Sequence, residues 1–122
     1  MSNEPPTPSP DLAESDLQAQ SVMVSLRLSD GDFGSDEQRA QVYELEDRLA
    51  VLIGEAEVGM LGGDGFGEGA AELFFYGPKA DALFKVIAAE VRQAATLPGS
   101  FAILRYGSIE DLDAAELTIP LS

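Results

Sequence analysis

The stretch Gly59 to Pro78, GMLGGDGFGEGAAELFFYGP, decides how this chain folds, because its seven glycines can hold a ligand, turn the chain, or do neither. Its second half, AAELFFYG, sets Leu73 and Phe75 against Phe74 and Tyr76, the period-two pattern of a strand. Upstream, EAEVGMLGG alternates in the same way, Glu57, Gly59 and Leu61 against Val58, Met60 and Gly62. Between the two, the glycines and Asp64 can take the positive-φ conformations that a reversal needs, so the stretch reads as a hairpin with its glycines in the turn.

Outward from the hairpin the pattern changes to helix on both sides. In DGDFGSDEQRAQVYELEDRLAVLIG, Ser35 and Gln38 fit a capping box, and Asp36 and Glu37 occupy the first turn, where negative charge is favoured. Val42, Leu45, Leu49, Leu52 and Ile53 then recur at three and four, and Gly54 is the expected stop. After Gly77 and Pro78, KADALFKVIAAEVRQAA carries the stripe Leu83, Phe84, Ile87 and Val91, widened by Ala88 and Ala95.

Strands bound these helices. SVMVSLRLS points Val22, Val24, Leu26 and Leu28 one way and Met23, Ser25, Arg27 and Ser29 the other; FAILRYG is a further strand, and ELTIPL closes the chain with a Pro120 suited to a sheet edge. The order is β-α-β-β-α-β with an additional C-terminal strand. This is an α+β fold of the ferredoxin-like, split βαβ kind, with two helices on one face of an antiparallel sheet. Right-handed crossovers are expected, and Arg27 and Arg105 fall on strands expected to be neighbours. The second face of the sheet, with Met60, Phe74, Tyr76, Leu104 and Tyr106 as its candidate apolar residues, is expected to be open and to serve as a partner or dimer surface.

The chain has 122 residues, enough for one domain. Met1 to Gln20, with four prolines, four acids and no base, lacks the apolar material to offset ordering and reads as a flexible arm; residues 21–122 read as the single folded domain. Cysteine and histidine are absent, which removes disulfides, the common zinc and haem ligands, and nucleophiles that work with an imidazole base. The absence of a long apolar run or a basic leader points to a cytoplasmic protein without a membrane span. A net charge of -15 repels nucleic acid and anionic lipid and favours cationic partners.

Ligand motifs fail on inspection. The glycines do not follow GxGxxG, they lead into a strand instead of a helix N-terminus, and no GKS or GKT is present. DGDFGSDEQRAQ places Asp30, Asp32 and Asp36 at positions one, three and seven of a calcium loop. Ser35 and Gln41 then stand where the loop needs glycine and glutamate, so a solvated helix-capping turn is the better reading. Phe74 and Tyr76 near an arginine faintly match an RNA-binding aromatic sheet, which the acidic excess opposes. No cofactor is expected.

DGFGEGAAELFFYGPKADALFKVI, LPGSFAILRYGS and the closing ELTIPL together resemble the pattern of a small, poorly characterised group of acidic bacterial proteins, in which a glycine-rich hairpin runs into a YGP turn and a helix. The resemblance covers about Val22 to Leu121 and implies neither a reaction nor catalytic residues. Where that group has a second YGP-like turn, this chain has YGSIEDLD, so its C-terminal connection differs.

The resulting expectation is a non-enzymatic interaction domain that binds a basic protein, as an inhibitor or an immunity protein against a cationic toxin or nuclease would. Charge would steer the encounter, acids on the first helix (Glu44, Glu46, Asp47) or on the hairpin (Asp64, Glu68) would make the contacts, and the aromatic residues Phe74 and Tyr76 would supply specificity. Two alternatives stay open. A small enzyme or metal-binding protein using the hairpin carboxylates requires a cavity that holds Asp64 and Glu72 together, and a self-associating structural domain requires the open sheet face to meet its own copy.

Overall fold

The computed structural model describes residues 20–29, 31–108 and 111–122. The expected arm lies outside these apart from Gln20, which opens the first strand, and Asp30 of the imagined calcium loop lies outside them too. The elements are β1 (Gln20–Arg27), α1 (Asp36–Ala56), β2 (Met60–Gly67), β3 (Ala70–Gly77), α2 (Ala80–Ala94), β4 (Phe101–Arg105) and β5 (Glu116–Pro120). They form one five-stranded antiparallel sheet in the order β2-β3-β1-β4-β5. That is the split βαβ arrangement, with β5 added outside β4 so that Pro120 sits on an edge strand, where its missing N–H costs no central ladder bond.

The core forms between the helices and one face of the sheet. Val22, Val24, Leu73, Phe75, Ala102 and Leu104 are buried there against Leu45, Leu49 and Ile53 of α1 and Leu83, Ile87 and Val91 of α2. Leu104 therefore belongs to the core and Tyr106 packs against it with its hydroxyl donating to Asp81 of α2, so neither is on the open face on which both were expected. Truncating a fully buried residue such as Leu49 to alanine in a core of this kind costs about 2–5 kcal/mol.

Local chemistry sets the ends of each helix. Ser35 Oγ accepts the Gln38 N–H at 3.1 Å and Gln38 Oε1 accepts the Ser35 N–H at 3.4 Å, so the capping box is complete. α1 runs through Gly54, however, and stops where Glu57 turns left-handed and donates its N–H to the carbonyls of Ile53 and Gly54. Lys79 gives α2 no side-chain cap; Gln20 does that work from the start of β1, its Oε1 accepting the Ala80 N–H at 2.7 Å.

The glycine stretch is a hairpin, but of its glycines only Gly69 is in the turn. Gly62, Gly63, Gly65 and Gly67 lie within β2, and the reversal is made by Glu68 and Gly69, both at positive φ (53° and 78°), as a two-residue hairpin loop demands. Gly62 stays bare because the Tyr76 ring occupies the space above it: a Cβ there would lie 2.3 Å from Tyr76 Cε2. Strands β1 and β4 are neighbours as expected, yet their arginines are not. Arg105 pairs with Ser21 at one end of β1, and Arg27 pairs with Ala70 at the other.

Candidate functional site at the helix–hairpin seam

Register on the edge strand determines which side chains meet α1. Leu61 pairs with the buried Phe75, and strict alternation from there would turn Asp64 and Phe66 away from the helices. A bulge between Leu61 and Gly63 adds a residue and shifts the parity, so Asp64 pairs with Leu73 and Phe66 with Ala71, both on the core side. Glycine lets the chain make this irregularity, and the bulge delivers a carboxylate and an aromatic ring to the flank of α1.

On that flank, Tyr43, Glu46 and Asp47 lie three and four apart and share one face of the helix. The Tyr43 and Phe66 rings meet edge-on, 5.6 Å between centroids and 70° between planes, which ties α1 to β2 while leaving Tyr43 49% exposed. Beside them Glu46 and Asp64 bring two carboxyl groups together. The Glu46 carboxyl is raised from its ordinary 4.5 to about 7, first by burial, then by its hydrogen bond with Asp64 and by the negative charges of Asp64 and Asp47. Its Oε2 is shut off from solvent and makes no hydrogen bond among the described residues.

No cation relieves this crowding. Among the described residues the ion pairs are Arg39 with Asp36, Arg48 with Glu90 at 3.0 Å and Arg105 with Glu116 at 2.9 Å, and none reaches Glu44, Glu46, Asp47 or Asp64. The seam is thus a place where a half-buried Glu46, its carboxyl raised to about 7, faces the acids Asp64 and Asp47 beside a half-exposed tyrosine. Chemically it can hold a proton, and it can exchange that proton for an ammonium or guanidinium group brought from outside.

The expected site residues are distributed over several surfaces. Glu46, Asp47 and Asp64 come together at the seam. Glu44 lies on another flank of α1, at the rim of a cleft of about 380 Å3. Glu68 is in the hairpin turn, and Phe74 and Tyr76 are on the sheet face opposite the helices, so they cannot act beside the seam acids as expected. The aromatic residues that lie there are Tyr43 and Phe66, which the sequence reading did not single out.

The pairing required of a carboxylate enzyme is also corrected. Asp64 pairs with Leu73 on the core side, while Glu72 points to the other face, so the two do not converge. The cleft holds neither of them; Arg27, Arg48, Gln38, Gln41, Gln93 and Thr96 surround its apolar floor at the end of β1. Among the described residues no group of three or more acids is placed to hold a metal ion, and no helix is long and apolar enough to cross a membrane. Comparisons with family models, with curated proteins and with solved structures return no match to this chain.

Proposed function

We propose that this chain is a protein-interaction domain that takes a basic protein partner at the seam between α1 and β2, the mode of action of an inhibitor or immunity protein. The observation that carries the reading is the Glu46 and Asp64 carboxyl pair, held together without a cation beside the exposed Tyr43 ring. A lysine or arginine from a partner would ionise Glu46 fully and relieve the repulsion that the free chain carries. The aromatic pair next to it offers the rigid, amphipathic contact on which binding energy usually concentrates. The net charge of -15 would steer such a partner from a distance.

The reading is tested by titrating isotope-labelled protein with a lysine-rich peptide and following amide shifts at low and moderate salt. Shifts are expected to concentrate at Tyr43, Glu46, Asp47, Asp64 and Phe66, to weaken with salt, and to vanish in Asp64→Lys. Shifts spread evenly over every acidic residue, or unchanged in Asp64→Lys, would reduce the surface to a generic counter-ion atmosphere.

A further inference from the structure

β2 is an edge strand: it pairs with β3 on one side, and among the described residues no strand pairs with its other side. The opposite edge of the sheet, β5, is blunted by Pro120, whereas Met60–Gly67 contains no proline, lysine or arginine. The bulge is confined to Leu61 and Gly63, so from Gly63 to Gly67 the strand runs in regular register with Phe74 to Ala70. That segment presents a row of amide and carbonyl groups that β3 does not use, the template to which an extended peptide adds as a further strand.

Register states what such a strand would meet. On the helix side stand Asp64, next to Glu46, and Phe66, next to Tyr43. On the other side Gly63 and Gly65 have open space where a Cβ would stand, so an added strand reaches past them to their partners on β3, Phe74 and Glu72. Along the edge the neighbours are thus Phe74, Asp64, Glu72 and Phe66, in the order apolar, acidic, acidic, apolar. A second copy of the chain is a poor occupant, because its own edge brings the same Asp64 and Glu72 with a net charge of -15 behind them. We propose, resting on the reading of the seam as a site for a basic partner, that the partner adds a strand to the β2 edge through an extended segment of the pattern apolar-basic-basic-apolar.

Each position of that segment has a counterpart. The basic residue opposite Asp64 points to the helix side and meets the Glu46 and Asp64 carboxyl groups, and the apolar residue opposite Phe66 joins the Phe66 and Tyr43 rings on the same side. The basic residue opposite Gly65 points the other way, two strand spacings or about 10 Å from the Glu72 backbone, a gap that a lysine and a glutamate side chain close from both ends. The composition of β2 fits this use. Gly65 has neither a neighbour where its Cβ would stand nor a positive φ, so nothing inside the chain calls for glycine there. A side chain at that position would stand between the added strand and Glu72, and glycine leaves the way clear.

The test titrates the full chain with the end-capped peptide Thr-Val-Lys-Lys-Val-Thr and follows amide shifts and hydrogen exchange along β2. The peptide is expected to bind and to slow exchange of amides between Gly63 and Gly67. N-methylation of one alternate set of its amides, the set facing β2, is expected to weaken it about tenfold, while methylation of the other set is tolerated. Glu72→Lys, on the sheet face away from the seam, is expected to weaken the peptide about threefold, and the charge-matched Asp113→Lys to leave it unchanged. Equal binding by the parent and both methylated peptides, β2 amides left unprotected by bound peptide, or a Glu72→Lys variant indistinguishable from Asp113→Lys would each overturn strand addition and leave the seam a site read by side-chain charge alone. The methylated peptides decide the matter if Glu72→Lys fails to fold. A parent peptide that does not bind would overturn the reading of the seam itself, and strand addition with it.

Discussion

Glu46 shows how one residue's environment turns an ordinary surface acid into a responsive one. Its carboxyl is raised to about 7 because burial disfavours the charge and because Asp64 from β2 and Asp47 from its own helix add repulsion, with no cation facing it from either element. The consequence for stability has a definite sign. In the unfolded chain Glu46 ionises near 4.5, in the folded chain near 7, so its favourable contribution is complete below 4.5 and is lost as the pH rises through 7. Urea denaturation of the native chain is therefore expected to show stability falling between these pH values, and Glu46→Gln to flatten that part of the profile. An identical slope in Glu46→Gln would mean that the proton is held elsewhere.

At the scale of elements, the glycine-rich strand explains itself through what its glycines face. Tyr76 covers Gly62, while Gly65 has open space where a Cβ would stand. Gly62→Val is thus expected to displace the Tyr76 ring and to destabilise by about 1–3 kcal/mol, as overpacking does. Gly65→Val, lacking such a neighbour, is expected to be near neutral or mildly stabilising, because a β-branched residue suits a strand better than glycine. Chemical denaturation of the two variants side by side reads the difference, and equal losses would show that β2 needs glycine for backbone reasons alone.

The same strand marks where the sequence was legible and where it was not. Both helices could be read from spacing and capping, because Ser35, Gln38 and the three-and-four recurrence of Leu45, Leu49 and Ile53 are side-chain signals. β1, β3 and β4 could be read because their large residues alternate. β2 could be placed but not aligned: glycine has no side chain to reveal which way it points, so the run was taken for the turn and the bulge left no trace in the periodicity. The seam was lost with it, since only the bulge turns Asp64 and Phe66 toward α1. Phe66 between two glycines was the available clue, as a lone aromatic in such a run needs something to pack on, and Tyr43 three residues before Glu46 is its partner.

At the scale of the whole molecule, the split βαβ arrangement gives two surfaces of different character. The helix side carries, at its seam with the hairpin, the Glu46 and Asp64 carboxyl groups with no cation paired to them among the described residues. The other side of the sheet carries the partly exposed apolar residues Met23, Phe74, Tyr76, Phe101 and Ile103.

The most direct test of the seam is the pKa of Glu46 measured by carbon-detected NMR, first in the free protein and then with a saturating lysine-rich peptide. The account predicts titration near 7 in the free chain and a clear downward shift toward the ordinary carboxylate range in the complex, with a proton released on binding at neutral pH. A free value near 4.5, or a value near 7 that the bound peptide leaves unmoved, would contradict it.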